Sequence, residues 1–258
     1  MKVGNFFYFY SMNIKQYLDS TYLKTASQAG ISDEDNTVIV KGFIQEAIDE
    51  EFKLIMIRPE YVKMAKEMIE AAHSKLVIGT VISFPEGTNT LEDKLKEAVT
   101  AIDNGVDELD FVCNYEAFKS GNVDLVKQEV LSGTRLGLDH HKAVKWIIEV
   151  AALTDAQIIQ ISALIKNVII SHFKENCFPQ VFVKSSTGFY KTVDGLPNGA
   201  TVPSVILMLE NASPLPVKAA GGVRTYEEAV EMVRLGVKRI GTSAAKAIAH
   251  GETASGEY

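Results

Sequence analysis

Short apolar runs alternate with longer helical stretches along almost the whole chain, and this alternation restricts the fold more than any single motif. The strand candidates are Gln16 to Ser20, Leu54 to Ile57, Leu76 to Ile82, Glu108 to Phe111, Ala143 to Val150, Gln180 to Ser185, Val217 to Ala219 and Arg239 to Thr242. Helical spacing fills the intervals between them. Ser32 and Asp33 open one helix with apolar positions Val38, Ile39, Phe43, Ile44 and Ala47. Thr90 with Asp93 starts another, backed by Leu91, Leu95, Ala98, Val99 and Ile102 and ended by Gly105. A hydroxyl residue followed three positions later by an acidic or amide side chain satisfies the N–H groups of a first helical turn. Thr154 with Gln157 and Thr225 with Glu228 repeat that signal, whereas Gly121 to His141 is the least regular stretch. Strands joined by helical crossovers run parallel, and eight such units close into an α/β (β/α)8 TIM barrel or stay an open doubly wound sheet. No G-x-G-x-x-G follows the first strand candidate, which disfavours a dinucleotide-binding sheet.

The length of 258 residues, 47% hydrophobic, suits one barrel domain. Residues 1–13 read as an N-terminal extension, 14–250 as the barrel and 251–258 as a tail. The segment MKVGNFFYFYSMN is aromatic, but it has no small-residue cleavage site and is too short to span a bilayer, so neither a signal peptide nor a membrane partner is expected. Met12 is an alternative start. A net charge of -7 argues against a nucleic-acid partner, since phosphate backbones require a basic face. Two cysteines, Cys113 and Cys177, are too few for a disulfide framework; both are expected to be buried, in a cytoplasmic protein. No His, Cys, Asp and Glu set has metal-ligand spacing, so no metal site is expected. His140 and His141 fall in a polar stretch and read as solvent-exposed, and Trp146 reads as a core or barrel-wall aromatic.

The chemistry-bearing residues lie where strand candidates end. Lys184 follows the apolar run Val181, Phe182, Val183 and precedes SSTG. Inside a barrel mouth its amine shifts toward the neutral, nucleophilic form; the alternative is a lysine that snorkels to solvent. Lys218 in PVKAAGG leaves the next strand at the same height. Adjacent strands lie only about 4.8 Å apart, and a second cation there disfavours protonation of the first, which favours the functional reading. Asp110 ends the run ELDFV and needs a cationic partner if it faces inward, although a strand-end Asp can instead cap a turn. Glu108 shares its face by period two, while Asp107 belongs to the preceding turn. Asp19 in YLDST is a further carboxylate that can hold a lysine in place and is counted with the substrate-binding set. Three late glycine loops complete the pattern: SSTG with Thr187 and Gly188, AAGG with Gly221 and Gly222, and GTSAA with Gly241 and Ser243. Loops after the last strands of barrels commonly build a phosphate site. SFPEG, from Ser83 to Gly87, reads as a turn.

With these residues assembled, the sequence resembles the deoxyribose-phosphate aldolases, class I aldolases of the barrel fold. The likeness runs from about Tyr17 to Ala247 and is densest in GTVISFPEG, DELDFVCNYEAFKSGN, WIIEVAALTD, VFVKSSTGF, VKAAGGVRTYEEA and RIGTS. The resemblance implies reversible cleavage of 2-deoxy-D-ribose 5-phosphate to D-glyceraldehyde 3-phosphate and acetaldehyde, in deoxyribonucleoside catabolism, without metal or organic cofactor. Carried onto matching positions, it makes Lys184 the Schiff-base lysine, Asp110 a proton-transfer group, and Lys218 the residue that lowers the nucleophile's pKa. It places Gly188, Gly221, Gly222 and Ser243 at the phosphate and gives the C-terminal Tyr258 an assisting role in proton transfer. Ala244 stands where many relatives have a second serine, which suggests weaker phosphate binding; LIMIRPEYV keeps the family's strand–Pro shape with Met56 and Arg58, and neither is assigned a role. The alternatives are another lysine-dependent aldolase or a non-catalytic phosphosugar-binding barrel. A homo-oligomer is expected, with a two-fold dimer as the default.

Overall fold

The structure is a computed structural model that describes residues 12–193 and 195–252. Eight parallel strands close into a barrel in chain order: β1 Leu18–Thr21, β2 Leu54–Ile57, β3 Val77–Ile82, β4 Glu108–Val112, β5 Ala143–Ile147, β6 Val181–Lys184, β7 Val217–Ala220 and β8 Arg239–Thr242. Of the two arrangements the alternation permits, the closed barrel is the one formed, and β1 pairs with β8 to shut it. The helices are α1 Ala26–Ala29, α2 Asp33–Asp49, α3 Val62–Ala71, α4 Leu91–Asp103, α5 Tyr115–Lys119, α6 Val123–Asp139, α7 Asp155–His172, α8 Val202–Ala212, α9 Tyr226–Leu235 and α10 Ala245–His250. Every strand is thus followed by at least one helix. Among the described residues, no helix is long and apolar enough to cross a membrane.

Local signals place most helix starts. Thr154 and Thr225 each close a reciprocal capping box with Gln157 and Glu228, and Thr90 accepts from the Asp93 N–H. Two helix faces differ from the sequence expectation. In α2 the buried positions are Asn36, Val40, Ile44 and Ala47, while Val38 and Ile39 are exposed. In α4 the buried side holds Lys94, Ala98 and Ala101, and Val99 turns outward. A lysine can occupy that face because its ammonium meets Glu129 at 2.7 Å and the Val112 carbonyl at 2.9 Å.

The stretch that reads as irregular is the seventeen-residue helix α6. Its inward face is built from Val126, Glu129, Val130, Gly133, Thr134 and Gly137, so size and ion pairing replace the apolar stripe that periodicity detects. A methyl group at position 133 would come within 2.9 Å of the Trp146 ring, which explains the small residue. Trp146 is fully buried, stacks on Phe111 at 4.9 Å and donates its indole N–H to Thr134. The β5 expectation runs too long: Glu149 adopts φ 56° and starts the 3-10 turn Val150–Ala152, which breaks the extended chain. Cys113 is buried as expected, but Cys177 is only half-buried; both are free thiols. His140 and His141 are exposed.

Candidate functional site

Strand periodicity sends alternate side chains of β4 to β8 and β1 into the barrel, and the register stacks the charged ones together. Asp110 pairs in register with Lys145, Lys184 with Lys218, and Lys218 with Arg239. Asp110 is the hub and is fully buried. Its Oδ1 takes Lys145 at 2.6 Å, and its Oδ2 takes both Lys184 at 2.9 Å and Lys218 at 3.0 Å. Lys218 also meets Asp19 Oδ2 at 2.6 Å. Arg239 then bridges Asp19 at 2.6 Å and Glu108 at 3.1 Å, and Glu108 returns to Lys145 at 2.5 Å.

This ring sets the protonation states. Burial pushes the Asp110 carboxyl up, but Lys145, Lys184 and Lys218 outweigh it and hold Asp110 well below the usual carboxylate range. Burial acts the same way on Glu108, where Lys145 and Arg239 prevail and bring it to about 2. Lys145 moves oppositely: Asp110 and Glu108 overcome burial and raise it. Lys184 shifts in the direction opposite to Lys145. Burial lowers it, Asp110 only partly restores it, and Lys218 adds to the lowering, which leaves it at about 8. Among the described residues the ring holds four cations (Lys145, Lys184, Lys218, Arg239) and three carboxylates (Asp19, Glu108, Asp110). One positive charge is in excess, and loss of the Lys184 proton removes it. The ring therefore favours the nucleophilic amine.

Above the ring opens a cleft at the C-terminal ends of the strands. Lys184 reaches it together with Thr187, Gly188, Gly221, Gly222, Gly241 and Ser243, and Thr21, Leu23, Asn198 and Arg224 also line it. Glu149 holds the loop after β6: the Thr187 hydroxyl and N–H and the Ser186 hydroxyl all donate to its carboxylate. Burial raises the Glu149 pKa against these hydrogen bonds. Asn198 Nδ2 donates to the Gly188 carbonyl at 3.1 Å, and the Ala200 N–H donates to the carbonyls of Ala220 and Gly221. The SSTG and AAGG loops are thereby fastened to each other.

No protein-family model matches the chain. A deoxyribose-phosphate aldolase of Streptococcus gordonii is 36% identical over 248 residues, covering 96% of this chain and 100% of that protein. A second, of Thermococcus gammatolerans, is 37% identical over 93% of this chain and 96% of its own length. The chain belongs to the deoxyribose-phosphate aldolase family. A solved deoxyribose phosphate aldolase from Aeropyrum pernix, described as having a unique tetrameric structure, superposes with a TM-score of 0.73 at 28% identity, over 92% of this chain and 89% of that one.

In this family member the structure brings Lys184, Lys218 and Asp110 into direct contact at one end of the barrel. Thr187, Gly188, Gly221, Gly222, Gly241 and Ser243 border one cleft. Asp19, counted with the substrate-binding set as a carboxylate that can hold a lysine, is fully buried, and its oxygens are taken by Lys218 and Arg239. The Ala244 N–H donates to Thr242 Oγ1 at 3.0 Å within the protein. Tyr258 lies outside the described residues. Among the described residues no cluster of three or more His, Cys, Asp or Glu side chains could hold a metal ion. Sequence reasoning passed over Lys145, Arg239 and Glu149. Lys145 interrupts AVKWI as Lys184 ends VFVK, and the same test of a lysine within an apolar run would have found it.

Proposed function

We propose that the chain cleaves 2-deoxy-D-ribose 5-phosphate reversibly to D-glyceraldehyde 3-phosphate and acetaldehyde, through an imine on Lys184, as a step of deoxyribonucleoside catabolism. The observation that carries this is the shared Asp110 Oδ2, which holds Lys184 and Lys218 together at the cleft, where burial and Lys218 bring Lys184 to about 8. The neutral Lys184 amine adds to the substrate C1 carbonyl, and water leaves to form an iminium. That cation draws the electron pair of the C2–C3 bond as a base removes the C3 hydroxyl proton. C3 departs as the aldehyde of glyceraldehyde 3-phosphate. The resulting enamine is protonated at C2, and water then releases acetaldehyde and restores the amine.

Asp110 and Lys218 stand within reach of Lys184 to move these protons, through a bound water where the distance requires one. Lys145 keeps Asp110 ionised. The glycine loops supply backbone that a phosphate can approach closely, and phosphate binding holds the substrate in register for cleavage. Tyr258 is proposed to assist from the tail. The reading needs neither metal nor organic cofactor. Assembly as a homo-oligomer, with a dimer as the default, is expected for an enzyme of this kind, and light scattering measures it. The two free thiols fit a cytoplasmic location.

Borohydride reduction in the presence of acetaldehyde tests the chemistry. The expected product is an ethyl group on Lys184, found by peptide mass mapping, with none on Lys218. Folded protein left unmodified at Lys184 removes the mechanism and favours a phosphosugar-binding barrel. An imine without glyceraldehyde 3-phosphate among the products of cleavage indicates a different lysine-dependent aldolase.

A further inference from the structure

The barrel mouth has two halves of opposite character. Over β6, β7, β8 and β1 it is built from Thr21, Gly188, Gly221, Gly222 and Ser243. Toward β2 and β3 it borders an apolar cluster of the barrel: Leu23, Leu54, Met56 and Val81 are buried together, and Phe84 and Phe189 pack against them. Phe84 comes from the loop after β3 and Phe189 from the loop that starts at Lys184. Their rings meet edge to face, 5.0 Å apart at 78°.

Arg58, in the turn after β2, fastens this wall. Its Nε–H donates to the Leu23 carbonyl at 2.8 Å. Its guanidinium carbon lies 4.9 Å from the centroid of the Phe84 ring. One planar cation thus ties the loops after β1, β2 and β3, and through the Phe84–Phe189 contact it reaches the loop after β6. A lysine could supply the charge but not a planar group that bonds and stacks at once.

We propose that Leu23, Phe84 and Phe189 form the wall that selects the donor aldehyde, and that Arg58 is the residue that positions it. The inference rests on the aldolase reading above. Lys184 holds C1 and the glycine loops hold the phosphate, so the two ends of the substrate are fixed. The C3 hydroxyl requires the proton-transfer groups on the barrel floor. The apolar cluster borders this site, since Leu23 also lines the cleft and Val81 pairs in register with Asp110, and a substituent on C2 would project toward it. A bare CH2 at C2 meets that wall without losing a hydrogen bond. A hydroxyl there gives up its water and gains no partner, and a methyl needs the space that Phe189 fills.

Competition between donors in the synthetic direction tests the wall. The full chain is supplied with D-glyceraldehyde 3-phosphate and equal amounts of acetaldehyde, propanal and glycolaldehyde, and products are counted by mass spectrometry. The wild type is expected to prefer acetaldehyde over glycolaldehyde by about a hundredfold. Arg58→Ala and Arg58→Lys should both reduce that preference by about tenfold, with a smaller change in the KM for the acceptor because Gly221, Gly222 and Ser243 lie away from Arg58's contacts. Phe189→Leu keeps an apolar side chain and guards against a folding failure. It should admit propanal while still rejecting glycolaldehyde. Donor ratios that stay at the wild-type value in Arg58→Ala and Phe189→Leu, while borohydride still traps acetaldehyde on Lys184, overturn the proposal. A rise in acceptor KM without a change in donor ratio overturns it too, by assigning Arg58 to the phosphate half. Wild-type protein that forms no adduct with any donor refutes the aldolase reading itself, and the wall with it.

Discussion

Lys184 and Lys218 share one carboxylate oxygen, yet they stand in different surroundings. Lys218 has two carboxylates against it, Asp19 and Asp110, whereas Lys184 has only Asp110 and opens toward the cleft. Burial brings Lys184 to about 8, with its single carboxylate opposing the shift and Lys218 adding to it. The neutral amine is the reactive form, so kcat/KM should rise about tenfold per pH unit below pH 8 and level off above it. Lys218→Met removes a cation that lowers Lys184 and leaves Asp110 to pair with it more strongly. Both changes favour the ammonium, so the rising limb of the pH profile should move to higher pH, as steady-state rates across pH would show.

At the scale of elements, the segment between β6 and α8 buttresses the cradle. A methyl group at Gly199 would lie 2.5 Å from backbone atoms of Gly221, closer than any relaxation of side chains can relieve. Gly199→Ala should therefore displace the AAGG loop and raise the KM for the phosphorylated substrate by about tenfold, the equivalent of roughly 1.4 kcal/mol. Imine formation from acetaldehyde, which needs no phosphate site, should persist. The pair Lys94–Glu129 acts behind β4: Lys94 also bonds the Val112 carbonyl, and Glu129 accepts the Asn114 N–H at 3.0 Å. This clamp holds the chain just beyond Asp110. Lys94→Met alone should destabilise the fold by about 3–5 kcal/mol because it leaves Glu129 buried and unpaired, whereas Lys94→Met with Glu129→Leu should recover most of the loss. Denaturant titration of the single and double variants measures the difference.

Across the whole molecule, the ionic ring joins strands from both ends of the chain, with Arg239 on β8 bound to Asp19 on β1. It therefore links barrel closure to the site. Lys145 joins two of its carboxylates, Glu108 and Asp110, and has no exposure. Lys145→Met takes one cation from each of two buried carboxylates, leaving Lys184 and Lys218 on Asp110 and Arg239 on Glu108. The expected loss is about 3–5 kcal/mol, or a Tm lower by roughly 10 °C, and calorimetry would detect it. Activity should fall as well, since Asp110 loses the first of the cations that keep it ionised.

Local rules made part of this legible. The alternation of apolar runs and capped helices specifies parallel β/α units, because helix caps and strand periodicity act over a few residues. The same short-range logic exposes Lys184, Lys218 and Asp110 as charges at strand ends, and the glycine loops beside them. It fails where burial has an unusual composition: α6 hides behind Glu129, Gly133 and Thr134, and Val38 and Ile39 on α2 look apolar yet face outward. It also missed Lys145 and Arg239, whose partners lie 35 and 220 positions away. The sequence alone determined most of the strands and helices and set Lys184 and Lys218 at the ends of neighbouring strands. Only barrel closure decided that four cations meet three carboxylates, Asp110 among them, and hence that the Lys184 amine is brought to about 8. A pKa depends on distance through space, and strand register sets those distances.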